Sequence, residues 1–195
     1  MAETSSLAGH FLIAMPGMSD RRFARTVIYM CVHSADTAMG IIVNRRAENI
    51  SFSELLEHLE LEGLPDTGDE VHELADMQVH FGGPVETTRG FVLHTPDYKT
   101  QKRTLVVEKA VCLTATVDIL KAITQGKGPA KALLALGYAG WAGGQLETEI
   151  RANGWLHCPA DADIIFDPDI DRKYERALSA LGVDEGHLVS IAGNA

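Results

Sequence analysis

The sequence predicts an α+β fold built on a mixed, largely antiparallel sheet, and three observations carry that expectation. Short β-branched runs recur along the chain, helical periodicity appears between only some of them, and turn signals place hairpins beside crossovers. The chain, at 195 residues, is long enough to bury roughly 70% of its unfolded surface. With 46% hydrophobic and 23% charged residues it has a globular balance, which sets aside disordered and fibrous classes.

Residues 1–6 are small and polar and are expected to fray. The apolar run 9–15 reads as a strand that Pro16 and Gly17 break, and a polar turn follows over 19–25. Residues 27–32 and 39–43 are rich in β-branched side chains, with 34–37 between them as a hairpin loop. Ser51 and Glu54 form a capping box, so a short helix carries Leu55, Leu56 and Leu59 on one face and stops at Gly63. Residues 64–77, with Pro65 and Gly68 among acidic side chains, read as an exposed loop.

Residues 79–81 and 91–94 look like strands on either side of Gly82, Gly83 and Pro84, and 105–113 holds one bent strand or two short ones. Thr116 is placed to cap a helix whose Val117, Leu120 and Ile123 form an apolar stripe, ended by Gly126. Residues 133–138 are strand-like, 145–153 helix-like, and 155–157 a further strand. The last helix has the clearest signal: Tyr174, Ala177, Leu178 and Leu181 follow the i, i+3, i+4, i+7 spacing and Gly182 closes it. No internal repeat and no Pro-, Gly- or Ser-rich linker divides the chain, so 1–195 reads as a single domain.

With 17 Lys and Arg against 27 Asp and Glu, a net charge of −10 opposes approach to phosphate and argues against direct duplex DNA binding. The densest basic stretch, Arg21, Arg22 and Arg25, is answered by Asp20 and reads as a solvated face. Cys31, Cys112 and Cys158 are widely spaced without a C-x-x-C pair, as expected of reduced, buried thiols in a cytoplasm. The first apolar run is too short for a signal segment, and 132–144 falls short of the ~20 residues a membrane span requires. A cytoplasmic protein without membrane contact is expected.

Known chemical signatures fail on position. Gly137, Gly140 and Gly143 are spaced three apart, unlike a dinucleotide fingerprint, and Gly126-Lys127 lacks both the preceding glycine and the following Ser/Thr of a phosphate loop. His72-Glu73 has Asp76 where a zincin has its second histidine, and the Asp167, Asp169, Asp171 run lacks the glycine and final Glu of a calcium loop. Those aspartates suit a helix N-terminus instead. Cys31 and His33 share a strand face, which fits a buried thiol with a hydrogen-bonded turn histidine and also admits a nucleophile with its base, or partial metal ligation. No Gly-x-Ser-x-Gly elbow is present. No bound metal, cofactor or catalytic residue is expected.

Three longer segments are more specific: AGHFLIAMPGMSDRRFARTVIYMCVHSADTAMGIIVNR at 8–45, HFGGPVETTRGFVLH at 80–94 and GYAGWAGGQLETEI at 137–150. In them the chain resembles the YqgE/AlgH family of bacterial proteins, over nearly its whole length. The resemblance implies a bifurcated sheet curled towards a barrel and flanked by helices, a cytosolic bacterial setting, and the label of transcriptional regulator. It implies no reaction, cofactor or catalytic residue. Arg46 stands where the family commonly has proline, which is expected to loosen the loop before Ser51, and Tyr174 stands where tryptophan is usual.

One candidate site stands out, the joint region of 82–89 and 140–147. Gly82 and Gly83 open unusual backbone conformations ahead of Arg89, a five-donor fork suited to carboxylate or phosphate. Gly143 and Gly144 lead into a helix whose free N–H groups could face an anion, with Gln145 and Glu147 on the border. The structural alternative at the same residues is close backbone packing by the glycines, Trp141 in the core, and Arg89 paired with Glu147 or Glu149. The functional expectation is a non-enzymatic regulatory or protein-binding module acting through a protein partner. Its rivals are an enzyme of unrecognised type binding a small anionic ligand near Arg89 and Gln145, and a purely structural partner protein.

Overall fold

The computed structural model describes residues 6–59, 77–98 and 103–183. The elements in chain order are β1 (His10–Ala14), β2 (Val27–His33), β3 (Thr37–Ile42), α1 (Phe52–His58), β4 (Val79–Phe81), β5 (Val85–His94), β6 (Thr104–Glu108) and β7 (Val111–Thr114). There follow α2 (Val117–Thr124), β8 (Ala132–Ala142), α3 (Gln145–Arg151), β9 (Trp155–Pro159), α4 (Ala162–Ile165), a 3-10 turn (Ile170–Arg172) and α5 (Lys173–Ala180). The expected helix stop at Gly63, the acidic loop up to residue 76 and His72 lie outside the described residues.

The strands run in the order β6-β7-β5-β8-β3-β2-β1-β9, antiparallel at every step, while β4 lies off this path and parallel to β8. The sheet forks at β8. Its first half, through Leu136, holds β4, whereas Ala139 to Ala142 pair with β3. Gly82 stitches the two branches, donating its N–H to Leu136 O at 2.7 Å and accepting from Ile42 N at 2.9 Å. The α+β class and the curled, bifurcated, largely antiparallel sheet are therefore as the residues and the family resemblance imply.

Alternation along β1 explains the layering. Phe11 and Ile13 join a core with Tyr29, Leu93, Tyr174, Ala177 and Leu178, while Leu12 and Ala14 face Ile28, Leu146, Trp141 and Trp155. Burying a side chain such as Leu178 contributes about 1.5–3 kcal/mol, so α5 is held mainly by this stripe. A third cluster packs Phe52, Leu55 and Leu56 of α1 with Ile119, Leu120 and Ile123 of α2 onto Val92 and Leu134.

Several elements differ from their sequence expectation for identifiable reasons. Residues 105–113 form two short strands, and β5 begins at Val85 because Val85 pairs with Tyr138 before a bulge delays the next pair to Gly90. β8 runs past Tyr138 to Ala142, since its glycines admit neighbouring backbones instead of ending the strand. On α2 the buried face is Ile119, Leu120 and Ile123, with Val117 exposed. Thr116 has the extended backbone of a cap, yet its hydroxyl makes no capping bond. Ser6, at the end of the expected tail, donates to His33 O, and Arg46 forms a β-bridge with His80 where a looser loop was expected. Ser51 and Glu54 form the capping box as expected.

Candidate functional site

The β1–β2 loop and the β8–α3–β9 segment enclose an open cleft of about 910 Å³. Met15, Met18, Phe23, Val85, Trp141 and Trp155 line it. Both tryptophans of the chain are therefore in its wall. They meet edge to face at 6.1 Å, and Phe23 meets Trp155 in the same way at 5.7 Å.

One carboxylate fixes this aromatic wall. Glu149 Oε2 accepts from Trp141 Nε1 at 2.9 Å and from Trp155 Nε1 at 2.8 Å, and Glu149 Oε1 accepts from Gln145 Nε2 at 2.9 Å. Gln145 Oε1 in turn accepts from Ala142 N at 3.1 Å. The local sequence makes this possible because Gln145 and Glu149 are one turn apart on α3, with Trp141 at the same interval upstream on the end of β8. At the rim Arg22 donates to Asp20 at 2.7 Å, and that guanidinium holds the Asp20 carboxyl below its usual range.

The residues singled out from the sequence fall in different places. Gln145 borders the cleft. Gly82 and Gly83 pack against the backbone of Gly137 and Tyr138, where no Cβ has room, and Gly143 lies against Ala35 O. Gly144 caps α3 with a left-handed φ of 75° and open space beside it. Arg89 is exposed, donates to Glu86 at 3.0 Å, and stacks over Phe91 at 5.1 Å, so its carboxylate partner is neither Glu147 nor Glu149. Glu147 accepts from His33 Nε2 at 2.9 Å. Because Leu7 N donates to His33 Nδ1, the ring is the Nε2–H tautomer, and the Glu147 carboxyl is lowered first by its own backbone N–H and then by this bond.

Cys31 and His33 bond to other partners and not to each other. The Cys31 thiol is buried beside Tyr29 O, and burial pushes it far above the thiolate range. All three cysteines are free and buried. Asp167 is lowered by the Asp169 N–H and by Arg176, with which it forms an ion pair. Among the described residues no cluster of His, Cys, Asp or Glu has a metal-binding arrangement, and no helix is long and apolar enough to cross a membrane. Sequence reasoning missed Glu149 as the organiser of the site and missed the buried polar residues His80 and Lys173. The spacing Trp141, Gln145, Glu149 was the available signal.

A forked, curled sheet with helices packed on it and an aromatic cleft beside its branch defines an α+β half-barrel with a built surface groove. The chain belongs to the AlgH-like family (DUF179), whose model matches residues 11–186. It is similar to the UPF0301 protein of Afipia carboxidovorans, 58% identical over 198 residues that cover 98% of this chain and 91% of that one. It is likewise similar to the UPF0301 protein of Methylobacterium nodulans, 54% identical over 191 residues covering 98% and 91%. Among solved structures it resembles the solution structure of the AlgH protein from Pseudomonas aeruginosa, with a TM-score of 0.78 and 39% identity over 100% of this chain and 97% of that one. A crystal structure of a Corynebacterium diphtheriae protein shares the fold, with a TM-score of 0.69 at 19% identity over 92% and 90% of the two chains.

Proposed function

We propose that the chain is a non-enzymatic regulatory module that acts by docking a partner protein in the Trp141–Trp155 cleft. The observation that carries this reading is the pre-organised aromatic wall, in which one carboxylate orients both indoles. Rigid aromatic anchors supply contact area at little entropic cost, and Met15 and Met18 in the same cleft adapt to a varied surface. The net charge of −10 favours basic or neutral segments over phosphate, so a regulatory effect on transcription passes through protein contacts and not through duplex DNA. In this reading the chain works as one domain in a bacterial cytoplasm, away from membranes.

The test uses Val85, which lies in the cleft and is 36% exposed, so that charge can be added there without opening the core. A protein that co-purifies with the parent should be lost with Val85→Glu and with Met18→Glu, and retained with Lys127→Glu. Retention by both cleft variants would reject the reading. A second reading keeps a small anion near Arg89 and Gln145, favoured by the exposure of Arg89 with a single carboxylate partner among the described residues. Phosphate that raises the melting temperature of the parent but not of Arg89→Ala would establish it.

A further inference from the structure

A second cavity, of about 220 Å³, shares no lining residue with the aromatic cleft; Met77, Gln78, His80, Phe166, Asp167 and Lys173 are in its wall. Two of these residues are almost wholly removed from solvent, Lys173 at 1% and His80 at 6% exposure. Lys173 Nζ donates to Val43 O at 3.0 Å and to Ile165 O at 2.7 Å. An ammonium carries three N–H groups, so among the described residues one donor is left over.

His80 presents the complementary deficit. Its Nδ1 lies 3.2 Å from Leu134 O and can only donate there, which leaves Nε2 as the bare acceptor of a neutral ring. That Nε2 is buried and makes no hydrogen bond among the described residues, and the Gln78 backbone bears on the ring only in the sense that favours its charged form. Two residues that line one cavity thus carry a leftover donor and a leftover acceptor, an arrangement that folded proteins normally fill. The charges that bear on the pair are Arg46 on His80, and Asp167 and Arg176 on Lys173. Asp167 is already engaged by Arg176 and by the Asp169 N–H. Among the described residues the cations around the pair, Arg46, Lys173 and Arg176, outnumber the one carboxylate that acts on it, Asp167.

We propose that this cavity binds a small monocarboxylate, held between the free N–H of the Lys173 ammonium and a His80 ring that takes up a solvent proton on Nε2 as the anion enters. The anion accepts from both nitrogens, and the added proton converts His80 Nε2 from an unsatisfied acceptor into a charge-assisted donor. Without an anion, burial and the nearby Lys173 push the His80 imidazolium down to about 4, and burial pushes the Lys173 ammonium down to about 8. A bound negative charge offsets both effects. The volume is below the roughly 300–1,000 Å³ of drug-sized sites, which suits a ligand of a few heavy atoms. The Asp167 carboxylate in the wall disfavours a dianion, so the chemistry selects acetate-like carboxylates over phosphate.

The test titrates the full chain with acetate and, separately, with inorganic phosphate, following the His80 ring nitrogens by NMR against a chloride control of equal ionic strength. Calorimetry in two buffers of different ionisation enthalpy counts the protons taken up. Acetate should move His80 Nε2 to its imidazolium position and take up close to one proton, and its affinity should rise roughly tenfold for each unit by which pH falls below neutrality. In His80→Gln, whose amide can still donate to Leu134 O, proton uptake and the pH dependence should disappear while the fold is retained. Unchanged His80 resonances with acetate, binding without proton uptake, preference for phosphate, or equal binding by His80→Gln would each overturn the proposal.

Discussion

Two indole N–H groups and one side-chain amide converge on the Glu149 carboxylate, and none of the three has another acceptor among the described contacts. Hydrogen bonds to a charged acceptor contribute about 1.5–3 kcal/mol each, and Glu149 is partly open to water, so Glu149→Leu should lower stability by about 2–4 kcal/mol. Urea denaturation followed by tryptophan emission checks this directly, because both fluorophores are bound to the deleted group. Arg89→Ala should behave oppositely. Its ion pair with Glu86 is on the surface, and removing it should change stability by less than about 1 kcal/mol. A collapse of the melting temperature in Arg89→Ala would mean that a buried partner holds it. Glu86 was not legible as that partner because the two residues meet only through the β5 bulge and the left-handed φ of 49° at Glu86.

At the level of elements, β8 is the axis of the molecule, and its glycines decide the fork. Gly137 has a φ of 72°, and a Cβ there would run into the carbonyls of Gly83 and Val85. Gly137→Ala should therefore destabilise by about 3 kcal/mol or more, or yield no soluble protein. Gly144→Ala is the comparison: it has the same backbone strain, with φ 75°, but open space around it, and should lose only about 1–2 kcal/mol in the same denaturation experiment. Similar losses in the two variants would remove close packing as the reason for Gly137. From sequence, glycine signals a strand end, so the strand expected over 133–138 stops short of Trp141. Nothing local says that a neighbouring backbone needs the missing Cβ. The α5 helix was legible because its apolar stripe repeats with the helical period, and the α1 capping box because both partners are three residues apart.

For the whole molecule, protonation equilibria point one way. Asp20, Glu54, Asp97, Glu147 and Asp167 are all held below their usual range, so their stabilisation is present above the ordinary carboxylate pKa and lost as pH falls through the lowered values. His80 acts earlier. Its folded value of about 4 lies below the ~6.5 of an unfolded histidine, so the unfolded chain binds the extra proton first and stability declines as pH falls from about 6.5 to 4. That shift corresponds to roughly 3 kcal/mol. In carboxylate-free buffer, His80→Gln should shrink this upper limb to the part that His94, also lowered by burial, contributes, and leave the acid limb below about pH 4.5 intact, as read by chemical denaturation across pH. An unchanged upper limb would show that His80 does not titrate as buried. The net charge of −10 also predicts no duplex DNA binding by the isolated chain at physiological salt, and nanomolar binding with a steep salt dependence would contradict it.

The residues by themselves determined the α+β class, the capped helix α1, the hairpin of β2 and β3, the amphipathic α5 and the family, because each is written in local periodicity, short-range capping or contiguous motifs. Only the tertiary structure decided the pairings across long separations. It set Glu149 behind two tryptophans, His33 against Glu147, and His80 beside Lys173, which is 93 positions away by number. Gly82 and Gly83 read as the opening of a site and are placed as the contact between two strands. The physical reason is common to all of these. A side chain's type and spacing specify the face it shares with near neighbours, whereas its partners across the sheet follow from the strand order and from where β8 forks, and neither is encoded in any single window of sequence.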